Sequence, residues 1–321
     1  MGIALQTMTN ELTHVFLLSV GAFLLAMFLT PIYTFFAYRY RFWKRQRSES
    51  TDGKKLKVFA KFQAAKLRRN IPTMAGVIGV ISIFVVTIFF NLDRAQTWLP
   101  LAALVGGGIV GLIDDIINLR GLGGGAAGLR SPVKFALITL IGVVLGWFFF
   151  AKLGVASFHV PFVGEVNIGW LIVPLFAFAV VATGNAVNIS DGMDGLAGGL
   201  LGISFGAFGV IALLQQHVIL AGFCFTVVGV LLSYLWFNIY PARFFMGDVG
   251  SFAYGACLGV VAMLTDSLLL LPVIGLLFVI EAGSSLTQIV SKKLFKRKIF
   301  LSAPIHHHLE AIGWPETKVT M

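Results

Sequence analysis

Four short stretches put acids, amides and histidines where a largely apolar chain should have none. GLIDDIINLRG (111–121) carries the adjacent pair Asp114 and Asp115. NAVNISDGMDGLAGG (185–199) carries Asn185, Asn188, Asp191 and Asp194, and PARFFMGDVGS (241–251) carries Asp248. APIHHHLEAIGW (303–314) carries His306, His307 and His308. Adjacent carboxylates repel each other, and one of them holds a proton unless a cation lies nearby. Oxygen-only ligands suit Mg²⁺ better than Zn²⁺. The Asp-Gly and Gly-Asp pairs allow tight turns, and each such loop leads into a helix whose first N–H groups can meet phosphate oxygens. Asn185 and Asn188 add neutral groups for a sugar or a base. An Asp-Gly turn or a charged helix end is ordinary when it stands alone. Carboxylates, amides and a divalent cation gathered on one face suit phosphoryl transfer. For the histidines, a metal box, a tag remnant and a substrate contact all come into question. Zinc is disfavoured, because consecutive side chains point in different directions and no Cys completes a tetrahedron.

These residues must be held by membrane helices. The chain has 321 residues, 58% hydrophobic and only 12% charged, against about 25% charged in a soluble domain. About 20 apolar residues cross a bilayer as a helix. Nine windows qualify, at about 14–38, 73–91, 98–117, 132–151, 168–187, 196–214, 217–238, 249–265 and 267–290. None alternates as a membrane barrel strand would. The expectation is an all-α polytopic membrane protein. A short hairpin is expected over 154–169 around a Pro161–Gly164 turn, with His159 on its surface. Cys224 and Cys257 read as small apolar residues, Phe148, Phe149 and Phe150 as lipid contacts, and Gly106 to Gly108 as a close helix contact. No internal repeat is visible, which argues against a secondary transporter.

Charge sets the orientation. Of 24 Lys and Arg, 21 fall on the side reached after the first span, twelve of them between Arg39 and Arg69, and two fall on the other side. Positive charge marks the cytoplasm, so the N-terminus is expected outside. All four polar stretches then face the cytoplasm, and Glu281 lies within the ninth span. An acid at the bilayer centre costs about 2.5–3.5 kcal/mol, so these carboxylates must reach the interface or a wet cavity. The basic, apolar segments 54–69 and 292–300 are expected to be interfacial helices on an anionic leaflet. Their position beside the membrane explains the charge without nucleic acid.

Five motifs in this order, IPTMAG (71–76), GLIDD (111–115), NAVNISDGMDGLAGG (185–199), PARFFMGDVGS (241–251) and APIHHHLEAIGWPETKV (303–319), resemble the polyprenyl-phosphate N-acetylhexosamine-1-phosphate transferases. Within them the chain looks like the MraY family of phospho-N-acetylmuramoyl-pentapeptide-transferases, whose histidine motif it shares. The tag reading falls away here, because Pro304, Glu310, Gly313 and Trp314 continue the family pattern. The resemblance implies a bacterial plasma-membrane enzyme that needs Mg²⁺. It joins undecaprenyl phosphate to UDP-N-acetylmuramoyl-pentapeptide, with lipid I and UMP as products, and is often a homodimer. Carried over by position, Asp114 and Asp115 handle the acceptor phosphate, one of them as a base or as a nucleophile. Asp248 is the metal ligand, with Asp191 beside it. Thr73, Lys134, Asn185, Asn188, Asp191, Asp194, Gln288, His306, His307 and His308 are substrate-side residues, the histidines donating hydrogen bonds to phosphates or sugar.

Three departures from the family pattern stand out. Asn118 occupies a position where the family often has Lys. The stretch before IPTMAG is AAKLRRN, in which Arg68 or Arg69 stands where a lysine is usual. The family fold has a tenth span after the histidine loop, so residues 1–321 are expected to form a single nine-span domain without it. Two rival functions remain at this point. One is the same chemistry on another UDP-N-acetylhexosamine. The other is a non-catalytic cation-binding or transport protein, whose acids would line a path instead of gathering at one end.

Overall fold

The computed structural model describes residues 2–43, 70–121 and 128–321. The expected interfacial segment 54–69, with Arg68 and Arg69, lies outside them. The elements in chain order are α1 (Gly2–Arg39), α2 (Gly76–Phe90), α3 (Trp98–Arg120), α4 (Ser131–Leu153), β1 (Ser157–Val160), β2 (Gly164–Asn167), α5 (Ile172–Ser190), α6 (Leu196–Leu214), α7 (Val218–Asn238) and α8 (Gly247–Leu264). They continue with α9 (Leu271–Ile274), α10 (Leu276–Phe295), α11 (Ile305–Ala311) and α12 (Glu316–Thr320).

Among the described residues seven helices are long and apolar enough to span a membrane, and Leu268–Ile274 with Leu276–Phe295 makes an eighth if the pair, bent by 81°, is one span. The shorter apolar helix α2 fills the ninth expected position. It is short because the chain before it is irregular, with Met74 at φ of 77° and backbone N–H and C=O groups bonded outside any helix. Thr73 N–H donates to the Phe42 carbonyl, Phe245 N–H to Pro72, Ala75 N–H to Phe245 and Gly76 N–H to Met246. Residues 72–76 and 245–246 thus satisfy each other's backbone groups, a requirement that lipid enforces.

Helix α8 is the axis of the bundle, with nearly every residue from Gly247 to Met263 buried. It packs most extensively on α3 and α5, while α1 packs on α7, α6 on α7 and α4 on α5. One side of α8, with Ala253, Cys257 and Val261, joins a core formed with α1, α2, α6 and α7. The other side, with Phe252, Ala256 and Val260, joins a core formed with α3, α4 and α5. Small residues make this closeness possible. A Cβ at Gly107 would lie 2.5 Å from the Phe252 carbonyl oxygen, and one at Gly111 would overlap the Asp248 carbonyl. The outward faces carry Phe28, Phe89, Trp147 and Phe178, as lipid contact requires.

The hairpin forms as expected, with His159 opposite Glu165 and both exposed. Its tie to the bundle is the His159 N–H, which donates to Asp266 Oδ1 at 2.8 Å. Cys224 and Cys257 are both buried. Two expectations need correction. Phe149 is 3% exposed and lies 5.2 Å from the Phe176 ring, because successive residues of a helix point 100° apart; Phe148 keeps an outward face. Segment 292–300 is not a separate helix. It is the last turn of α10, stopped at Lys296 with φ of 53°, followed by irregular chain.

Candidate active site

The carboxylates meet where α3, α4 and α8 converge. Asp114 and Asp115 lie in the last two turns of α3, and Asp248 lies in the first turn of α8. All three are buried, and a ligand oxygen from each lies within 4.8 Å of the others. Lys134, in the first turn of α4, reaches between them. Its Nζ is 3.0 Å from Asp114 Oδ2 and 2.7 Å from Asp248 Oδ2, and it sits 5.2 Å from the Phe252 ring centroid. Three carboxylates crowded in an apolar setting repel strongly, and this ammonium group relieves part of that repulsion.

Backbone groups hold the acids in place. Leu129 N–H donates to Asp114 Oδ1 at 2.6 Å, and Val249 N–H donates to Asp115 Oδ2 at 3.1 Å. The second bond places a carboxylate at the positive end of α8. Gly111 sets how closely α3 approaches that end. Gly247 has φ of 75°, and a Cβ there would lie 2.6 Å from Asp115 Oδ2 and 2.9 Å from Thr73 Oγ1. Thr73 is therefore a buried neighbour of the cluster, and its carbonyl accepts from the Tyr33 hydroxyl.

A second group of sequence-predicted site residues starts on α5. Asn188 Nδ2 donates to Ser251 Oγ at 2.9 Å, which joins α5 to the first turns of α8. Asp191 ends α5 and is half-buried. It is not one of the three clustered acids. Asn185 Nδ2 donates to the Val181 carbonyl within its own helix. Asp194 is buried, and its Oδ2 accepts from Ala242 N–H. Its N–H donates to Glu316 and its carbonyl accepts from Thr320. Asp194 thereby binds the α5–α6 loop to both the chain before α8 and the C-terminal helix α12. Asn118 is buried at 3% exposure near the end of α3.

The histidine loop is held by a polar stripe on α10. Glu281, Ser284, Gln288 and Ser291 recur at three and four residues, one helical face, and all four are buried. Ser291 Oγ donates to the Arg297 carbonyl, and Gln288 Oε1 accepts from Ile299 and Phe300 N–H while its Nε2 donates back to the Phe300 carbonyl. Ser284 Oγ accepts from Ile305 N–H. Glu281 Oε2 lies 2.8 Å from His306 Nδ1. Glu281 and Gln288 stand out in the sequence as polar residues of the ninth span; the spacing of all four is the signal for a docking face.

The three histidines differ in role. His306 is 1% exposed. His307 Nδ1 pairs with Glu310 at 2.8 Å. His308 Nδ1 accepts from Leu301 N–H at 3.3 Å, with its ring 5.5 Å from that of Phe300. At the opposite end of the bundle, His159, Glu165 and Asp266 form a second metal-competent group among the described residues, but His159 and Glu165 are exposed and Asp266 is only half-buried. Partial burial and the adjacent Glu165 carboxylate push the Asp266 carboxyl upward.

Comparison with known proteins agrees with this arrangement. The pattern of the glycosyl transferase family 4 matches residues 97–266, more than half of the chain, from α3 to the end of α8. The phospho-N-acetylmuramoyl-pentapeptide-transferase of Chloroflexus aggregans is 37% identical, over 100% of this chain and 88% of the relative. That of Geobacillus thermodenitrificans is 36% identical over 94% of this chain and 90% of its own length. The Clostridium perfringens protein of the same name is 34% identical over 94% and 91%. With the family pattern spanning the acid cluster and relatives aligned over most of their length, the chain belongs to glycosyl transferase family 4, among the phospho-N-acetylmuramoyl-pentapeptide-transferases.

Proposed function

We propose that the protein transfers phospho-N-acetylmuramoyl-pentapeptide from its UDP-linked donor to undecaprenyl phosphate at the cytoplasmic face of a bacterial plasma membrane. An oxygen of the acceptor phosphate bonds to the β-phosphorus of the donor. The bond from that phosphorus to UMP breaks, and UMP leaves with the electron pair. The products are lipid I and UMP.

The observation that carries this reading is the buried cluster of Asp114, Asp115 and Asp248 with Lys134 inside it. Three hard oxygen donors suit Mg²⁺, and these residues would hold it. When bound, the ion supplies positive charge to offset that of the phosphates. The other roles belong to side chains. Lys134 adds a fixed positive charge beside the acids for the diphosphate. Asp114 and Asp115 stand ready to order the acceptor phosphate and take its proton. Asn188 and Asp191 lie toward the donor sugar, and the Asp194 bonds hold their loop in place. Acids that converge on one end of the bundle favour chemistry over passage through it. The 21:2 division of Lys and Arg supports the cytoplasmic placement of that end.

The test uses the full chain in detergent or lipid with undecaprenyl phosphate, MgCl₂ and one donor at a time, and measures UMP. Release from UDP-N-acetylmuramoyl-pentapeptide is expected. Release from UDP-N-acetylglucosamine alone would overturn the donor assignment.

A further inference from the structure

We propose that Glu281 is a positioning residue that locks His306 in one tautomer. It leaves His306 Nε2 as a hydrogen-bond acceptor for an O–H or N–H group of the donor substrate. This inference rests on the reading of the site as one that takes a UDP-sugar.

The carboxylate of Glu281 only accepts hydrogen bonds, so the 2.8 Å contact assigns the proton to His306 Nδ1. In the neutral ring Nε2 then carries a lone pair. A carboxylate behind a histidine in a serine-protease triad fixes the tautomer in the same way. Glu281 and His306 are 6% and 1% exposed, so neither samples other partners in water. His306 Nε2 is buried without a hydrogen-bond partner among the described residues. A buried polar atom in that state costs about 1–3 kcal/mol, and such an atom in a native structure calls for a partner.

The direction of Nε2 is defined by Gly192, where an added Cβ would lie 2.5 Å from it. Gly192 adjoins Asp191, three residues after Asn188, so Nε2 is aimed at the turn that closes the donor half of the site. The adjacent ring of His307, with centroids 4.2 Å apart, is itself paired with Glu310. A phosphate oxygen carries no hydrogen for a lone pair. The partner therefore comes from the uridine or from the amino sugar with its peptide, and His306 accepts a hydrogen bond where it was expected to donate one to phosphates or sugar.

Donor kinetics and ring ¹⁵N NMR test this together. E281A and H306A should each lower kcat/KM for the donor about tenfold, with the acceptor KM unchanged. The double variant should lose no more than H306A alone, since one residue acts through the other. E281Q keeps an acceptor for Nδ1–H and should retain most activity. G192A, which places a methyl group on Nε2 without touching Glu281, should resemble H306A and covers the case in which E281A does not fold. UMP as inhibitor separates the sources: unchanged inhibition in H306A assigns the contact to the sugar or its peptide, and weakened inhibition assigns it to the uridine. Multiplicative losses in the double variant, or full activity in E281A, overturn the proposal. The NMR arm does not need turnover. His306, assigned by loss of its signals in H306Q, should carry its proton on Nδ1 in the wild type and E281Q, and on Nε2 in E281A. An unchanged tautomer in E281A overturns the inference even if the donor assignment holds. Absence of turnover with every donor overturns the proposed function and leaves the NMR result to stand by itself.

Discussion

At the scale of single residues, the site is, among the described residues, a balance between buried negative charge and the ammonium group of Lys134. Lys134 stands between Asp114 and Asp248. K134M should therefore lower stability by about 3–5 kcal/mol without a cation, since removing one partner leaves buried charge uncompensated. MgCl₂ should restore much of that loss by binding only the folded protein. Thermal unfolding in EDTA and in MgCl₂ measures it, and equal losses in both would remove the metal from this cluster. D248N should reduce Mg²⁺-dependent UMP release at least about a hundredfold; full turnover in that variant would end the metal role of Asp248. The identities of these acids were plain in the sequence, because charge inside apolar runs stands out. The place of Lys134 was not. It meets Asp248 across 114 positions of chain, and no local pattern encodes such a contact. Nor was the use of Asp194 to hold backbone in place, since an Asp-Gly pair reads alike with its carboxylate free or bonded.

At the scale of elements, the decisive contact is α3 on α8. G111A would push a methyl group into the Asp248 carbonyl. Overpacking of this kind costs about 1–3 kcal/mol. Because the contact also sets the distance from Asp114 and Asp115 to Asp248, UMP release should fall more than the melting temperature suggests. A variant that melts earlier but keeps wild-type kcat would show that the two helices can separate without harm to the site. The nine helical positions were legible because long apolar runs in lipid have one outcome. The shortness of α2 was not, since the chain at 72–76 takes its irregular path from backbone bonds to residues 245–246, far away in the chain. The α10 stripe was present in the sequence as polar residues at helical spacing. What it faced could not be read there.

At the scale of the whole molecule, one end is acidic, basic-rimmed and polar, and the opposite end carries the hairpin and Asp266. Both native cysteines are buried, so a cysteine placed at a surface reports its side of the membrane against a quiet background. F162C, in the exposed hairpin turn, should react with an impermeant maleimide added outside intact cells. L301C, in the exposed part of the histidine loop, should react only after the membrane is opened. The reverse pattern would invert the orientation drawn from Lys and Arg. That bias was fully legible, because it depends on composition of loops and not on contacts.

The stripe on α10 holds the following chain chiefly through main-chain atoms: the Arg297 and Phe300 carbonyls and the Ile299, Phe300 and Ile305 amides. Such bonds are indifferent to which side chains those residues carry, but they count residues. Between Arg297 and Ile305 the protein should thus tolerate many substitutions and almost no change of length. A single inserted or deleted residue after Phe300 would shift His306 off Glu281 and place a neighbour there instead. In a library spanning 297–305, substituted members should survive where members one residue longer or shorter do not.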